Sequence, residues 1–180
     1  VAKENSYYVV SDTSYEGYTD IPKDVMQGYT VMVDETMKQM KETPTHVFLQ
    51  GGVGGFPAAA VSFLVESLDC PPIFVIVEPA NADCLFQSAV NGEPTVVHGD
   101  LDTVMAGLAC GEVSLLAWSI LESYVPHFMT IKDDSISKTM QLLANRQMPI
   151  VAGESAVAGL AGFLIASHNS SLKEALKLDE

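Results

Sequence analysis

Residues 50–57 read "QGGVGGFP", so four glycines crowd into the five positions Gly51 to Gly55 of a 180-residue chain that holds only 13. Glycine loses more backbone freedom on folding than any other residue, and such a cluster needs positive φ or the close approach of another group. The apolar run His46 to Leu49 ("HVFL") precedes it, and Pro57, a residue suited to the first turn of a helix, follows. A strand, a glycine turn and a helix extended by "AAAVSFLVESL" are expected. The next run, "PPIFVIVEP", is apolar throughout and bounded by prolines, as for a strand covered on both faces. Strand, helix, strand is a βαβ unit.

The same alternation extends along the chain. Tyr7 to Val10 ("YYVV") reads as a buried strand, and Pro22 opens a helix whose Val25, Met26, Tyr29, Met32, Val33, Thr36, Met37 and Met40 form an apolar stripe expected to pack in the core. Helices are expected around "ADCLFQSAV", "SLLAWSILESYV", "DDSISKTMQLLANRQ" and "SAVAGLAGFLIAS". Short apolar runs occur at Thr95 to Val97 and in "PIVAGES", and Ser171 to Glu174 fits a capping box. The expected architecture is one α/β domain over residues 1–180, a mostly parallel sheet with helices on both faces. Ligands gather beyond the carboxyl ends of the strands in such folds, where "GGVGG", the "EP" after Val77 and the "GES" after Ala152 are expected to lie.

Composition removes several classes of function. With 23 acidic against 9 basic residues, a net charge of -14, the chain lacks the basic face that a phosphate backbone requires, so no nucleic-acid partner is expected. The acids are dispersed, as on a solvated surface. No apolar stretch approaches the roughly 20 residues that cross a bilayer, and "VAKENSYY" has no signal-peptide pattern; a soluble, cytoplasmic protein without a membrane partner is expected. Three cysteines and four histidines without close spacing point to no metal site.

Successive glycine N-H groups can form an anion nest, and the following helix adds positive potential, so a phosphate is the natural guest; the alternative is a tight turn. Phe56-Pro57 stands where a P-loop places Lys-Ser/Thr. Gly52 and Gly54, with Glu78 as a ribose-binding acid, imitate a dinucleotide fingerprint, although Pro57 occupies its third glycine position.

"SDTSYEGYTDIP", "VMQGYT", "HVFLQGGVGGF", "VEPANADCLFQSA", "HGDLDTVMAGLACGE" and "VAGESAVAGL" occur in that order. Together they resemble the diaminopropionate ammonia-lyase family, pyridoxal-phosphate enzymes of fold type II, the tryptophan-synthase-β-like group. The resemblance implies the larger cofactor domain of such an enzyme and α,β-elimination of 2,3-diaminopropionate to pyruvate and ammonia, usually in a homodimer. It implies that Gly51, Gly52, Val53, Gly54 and Gly55 hold the cofactor phosphate through backbone amides. Asp12 matches an active-site acid near the substrate, fit to accept a proton or pair with an ammonium; as a residue after a strand, it could also close an Asx-turn. Glu154 and Ser155 match a segment lining the cofactor ring, Glu154 also being placed to cap a helix, and Met105, Ala106, Gly107 and Leu108 match another wall. Cys84 and Cys110 fall in matching segments near the expected pocket mouth, where a disulfide is conceivable.

The family's Schiff-base lysine lies in a Ser-x-Lys-x-Arg-like motif, and none of Lys3, Lys23, Lys38, Lys41, Lys132, Lys138, Lys173 or Lys177 has that context. The family also continues into a strand bearing a threonine for the pyridine nitrogen, and its usual glycine is replaced by Ala156. The expectation is a domain incomplete at both ends and inactive alone. A Rossmann-like dinucleotide-binding domain and a non-catalytic phosphate-binding module are the alternative readings.

Overall fold

The computed structural model describes residues 4–178. Helix α1, Asp20–Gln39, begins two residues before Pro22, whose missing N-H falls in the first turn where no intrahelical partner exists. Strand β1, His46–Gln50, leads through the glycine turn into α2, Gly55–Ser67, and β2, Ile73–Pro79. Helix α3, Cys84–Asn91, a long loop with a 3-10 turn at Ala106–Leu108, and α4, Leu115–Tyr124, precede β3, His127–Ile131. Helices α5, Asp134–Ala144, α6, Ala158–Ser167, and α7, Ser170–Leu176, complete the order.

The three strands form a parallel sheet in the order β1-β2-β3, Leu49 facing Ile76 and Glu78 facing Thr130 across it. Because side chains alternate along a strand, β2 divides its apolar run between two cores. Phe74 and Ile76 pack with Leu49 and the faces of α1, α2 and α4. Val75 and Val77 pack with Ile131 and α5, α6 and α7. The parallel sheet with helices on both faces is as the sequence implies. On α4, Trp118 is buried against Phe128, ring centroids 6.2 Å apart, and its indole N-H has no partner among the described residues.

Several local expectations fail. Tyr7 to Val10 form no strand and are exposed, Tyr8 by 83%. "PIVAGES" is also irregular, with Val151 97% exposed, so the GES segment does not leave a strand. The third strand is instead "HFMTI" at the sheet edge, where incomplete cover tolerates His127 and Thr130. Asn169, rather than Ser171, caps α7, its side chain accepting from the Leu172 N-H at 3.1 Å. Among the described residues no helix is long and apolar enough to cross a membrane, and no group of acids, histidines and cysteines could hold a metal.

Candidate active site

A cleft of about 540 Å³ opens beyond the carboxyl end of β1, bounded by the glycine loop, the Asp12-Thr13 segment, Tyr29 and Met32 of α1, Gly107-Leu108 and Ser155-Ala156. Three of the four glycines are demanded by the protein's own packing. Gly54 has φ +99°, and a Cβ on Gly51 would come within 2.7 Å of Leu85 Cδ1 and 2.8 Å of Ile76 Cγ2. A Cβ on Gly52 would meet Cys110 Sγ at 3.3 Å, whereas one on Gly55 would meet nothing closer than 3.9 Å. The Gly51 N-H donates to the Val77 carbonyl at 2.9 Å, which fixes the loop to β2.

Beyond that anchor the amides turn free. The first bond of α2 runs from the Ala58 N-H to the Gly54 carbonyl, and no side chain caps this helix. The N-H groups of Gly54, Gly55 and Phe56 thus have no partner among the described residues, and these three residues line the cleft at the positive end of a 13-residue helix. Uncommitted amides and a helix N-terminus in one cleft fit a phosphate dianion.

Asp12 is exposed at the edge of this cleft, its carboxylate held by the Thr13 hydroxyl at 3.3 Å. The local turn that could have consumed it is closed by its neighbour, the Thr13 N-H donating to Ser11 Oγ at 3.2 Å. Cys110 also lines the cleft. Burial and then the Asp12 charge push its thiol up, against the Val53 N-H.

Gly52, Val53, Gly54, Gly55, Gly107 and Ser155 line the cleft, and the Gly107 N-H donates to Ser155 Oγ at 2.9 Å, joining two of its walls. Gly51 and Met105 are buried behind it, while Ala106 and Glu154 are exposed outside it. Cys84 is buried beneath Gly52, and Cys84 and Cys110 are free thiols in this structure rather than a disulfide. Tyr29 and Met32 line the cleft although the α1 stripe reads as core, and Met32 is 46% exposed. Among the described residues no lysine lines the cleft.

Glu78 cannot hold a ribose, which corrects the dinucleotide reading. It is fully buried, and its two carboxylate oxygens accept from the Leu85 N-H at 2.9 Å and the Phe86 N-H at 2.6 Å, so it caps α3 from the end of β2. Burial pushes its carboxyl up to about 8, the two backbone donors pull it down, and the Asp83 charge raises it. A carboxyl raised from 4.5 to about 8 in the folded protein favours folding most below pH 4.5, and that contribution is lost as pH rises toward 8. Glu78→Gln cannot ionise and sets an amide N-H against a backbone donor. It should be less stable by roughly 1–3 kcal/mol at pH 5, with the gap narrowing by pH 9. Urea unfolding at both pH values checks this, and parallel curves would contradict a buried, protonating Glu78.

A family model described as "Pyridoxal-phosphate dependent enzyme" matches residues 1–176. The diaminopropionate ammonia-lyase of Escherichia coli (strain K12) is 41% identical over 190 residues, covering 99% of this chain and 48% of that protein. The crystal structure of the holo diaminopropionate ammonia lyase from Escherichia coli matches with a TM-score of 0.89 at 38% identity, over 98% of this chain and 46% of that one. The same enzyme in complex with D-serine matches with a TM-score of 0.88 at 36% identity, over 98% and 46%. The chain therefore spans about half the length of the curated relatives it matches.

Proposed function

Since this chain belongs to the pyridoxal-phosphate dependent enzymes, we propose that it forms the phosphate-cradling domain of a lyase that eliminates ammonia from 2,3-diaminopropionate. The observation that carries the proposal is the set of uncommitted amides at the start of α2, on residues lining a cleft that Asp12 also borders. The identity to diaminopropionate ammonia-lyases over nearly all of this chain supports the choice of substrate. The reaction consumes one water and releases pyruvate and two ammonia molecules.

Backbone N-H groups of Gly52 to Phe56 would hold the cofactor phosphate, with Gly51 anchoring the loop from behind. When bound, the cofactor supplies the electron sink for the carbanion formed at the substrate α-carbon. Asp12 accepts the proton lost there or pairs with a substrate ammonium, and its exposed carboxylate, with one weak local bond, is free to do either. Gly107 and Ser155 would wall the space for the cofactor ring, with Met105 and Ala106 fixing the turn that carries Gly107 and Glu154 flanking Ser155. Tyr29, Met32 and Phe56 cover the cleft with apolar surface and exclude water.

The working enzyme is proposed to be a cytoplasmic homodimer, on the motif resemblance. The 180-residue chain alone is proposed to be inactive, since no described lysine lines the cleft to bind the cofactor covalently. Mixed with pyridoxal phosphate and 2,3-diaminopropionate, it should release no pyruvate above the free-cofactor background in a lactate-dehydrogenase-coupled assay. The whole gene product should release pyruvate and ammonia at one to two. Robust turnover by the 180-residue chain would overturn the inactivity proposal, and a whole product inert toward this substrate would overturn the substrate assignment.

A further inference from the structure

Two buried serines a hundred residues apart form a contact that the proposed reaction does not itself use. Ser14 is 1% exposed and Ser114 is fully buried, and their hydroxyls lie 2.8 Å apart. Buried hydroxyls are retained where they are hydrogen-bonded, and this pair is bonded on several sides. The Ser14 N-H donates to Ser114 Oγ at 3.0 Å, and the Leu116 N-H donates to Ser14 Oγ at 2.7 Å. The Leu115 N-H donates to the Ser14 carbonyl at 3.2 Å, and the Ser114 N-H to the Val53 carbonyl at 2.8 Å.

A serine immediately before a helix ordinarily caps it with its own side chain. Ser114 holds that position before α4 but makes no local cap, its hydroxyl being turned to Ser14. The first amides of α4 are satisfied by Ser14 instead, across the fold. The segment around Ser14 is otherwise closed on itself. The Ser11 N-H donates to Tyr18 Oη at 2.9 Å, Tyr15 and Tyr18 exchange backbone bonds, and their rings stack at 4.9 Å. Among the described residues, the hydrogen bonds that leave residues 11–18 for the sheet domain all run through Ser14.

We propose that Ser14 and Ser114 form a staple that positions Asp12 against the glycine cradle, joining the Asp12 segment, the start of α4 and the cradle residue Val53 in one buried network. Neither hydroxyl reaches the cleft, so both are positioning residues rather than catalytic ones. The inference rests on the reading of Asp12 as the group that serves the substrate. A small misplacement of such a group lowers turnover by up to about 100-fold.

The test uses the whole enzyme and compares Ser14→Ala, Ser114→Ala, their double variant and Asp12→Asn, with kcat, KM, pyridoxal-phosphate affinity and amide hydrogen exchange measured for each. Ser14→Ala and Ser114→Ala are each expected to lower kcat by about tenfold or more, with cofactor affinity held. The double variant should be no worse than the weaker single, because either change opens the same network. Exchange should quicken at residues 11–18 and at Leu115 and Leu116, and stay unchanged in β2.

If Asp12→Asn lowers kcat and Ser14→Ala does not, the staple is overturned while the reading of Asp12 stands. If Asp12→Asn leaves kcat unchanged, that reading falls, and exchange alone decides whether the staple exists. Loss of cofactor affinity together with faster exchange throughout the sheet would make Ser14 an ordinary folding residue and also overturn the proposal.

Discussion

Asp12→Asn in the whole enzyme should lower kcat toward 2,3-diaminopropionate by roughly 10²–10⁴-fold, the range for removing a positioned acid-base group. Pyridoxal-phosphate affinity should hold, because the carboxylate lies at the edge of the cleft and the amides proposed for the phosphate belong to the glycine loop. Asn keeps the shape of Asp and can still accept from the Thr13 hydroxyl, yet it can neither take a proton nor balance an ammonium. If ammonium pairing were the whole role, KM would rise with kcat nearly unchanged; if proton transfer is the role, kcat falls with KM nearly constant. Steady-state kinetics beside a cofactor titration separate the two. A variant with both parameters unaltered would remove Asp12 from the reaction.

The second large effect is expected at Gly54, where stability and binding can be pulled apart. Ala there must adopt φ +99°, which costs about 1–2 kcal/mol in the left-handed region. Its methyl would lie 3.1 Å from Ala117 Cβ and 3.2 Å from Leu121 Cδ1 and Leu85 Cδ2, and crowding of a packed core adds roughly 1–3 kcal/mol. Gly54→Ala should therefore lower the urea midpoint of unfolding clearly. Gly55→Ala meets nothing within 3.9 Å and sits at the first position of α2, so it should fold normally. Gly55 also lines the cleft, and its new methyl should weaken pyridoxal-phosphate binding by an order of magnitude or more. Equal stability losses in the two variants, or intact cofactor affinity in Gly55→Ala, would show that the loop is a turn and not a cradle.

What could be read in advance follows the range of the forces involved. The βαβ unit around the glycine loop is encoded locally, by an apolar strand, a turn and a proline-led helix, and it appears where expected. The third strand, "HFMTI", escaped because an edge strand needs less apolar cover, while "YYVV" carries strand-forming residues but pairs with no strand among the described residues. The inward turn of Glu78 is invisible in a run whose two faces are both apolar; only the pairing of β2 decides which side an acid enters. The exposed Met32 belongs to a stripe that looks uniform in sequence, because helix periodicity tells which residues share a face and not what covers them. Least visible of all is the meeting of Ser14 with Ser114, which depends on how α4 returns to the glycine loop.

The buried indole of Trp118 has an experimental consequence. Trp118 is the chain's single tryptophan, its backbone N-H donates to the Ser114 carbonyl at 2.9 Å, and it stands one turn into the helix that begins at the serine pair. Its emission is therefore a label-free optical signal from that helix, uncontaminated by any second indole in this chain. Loosening of the helix start admits water to a ring that is now 5% exposed, and a red shift registers it directly.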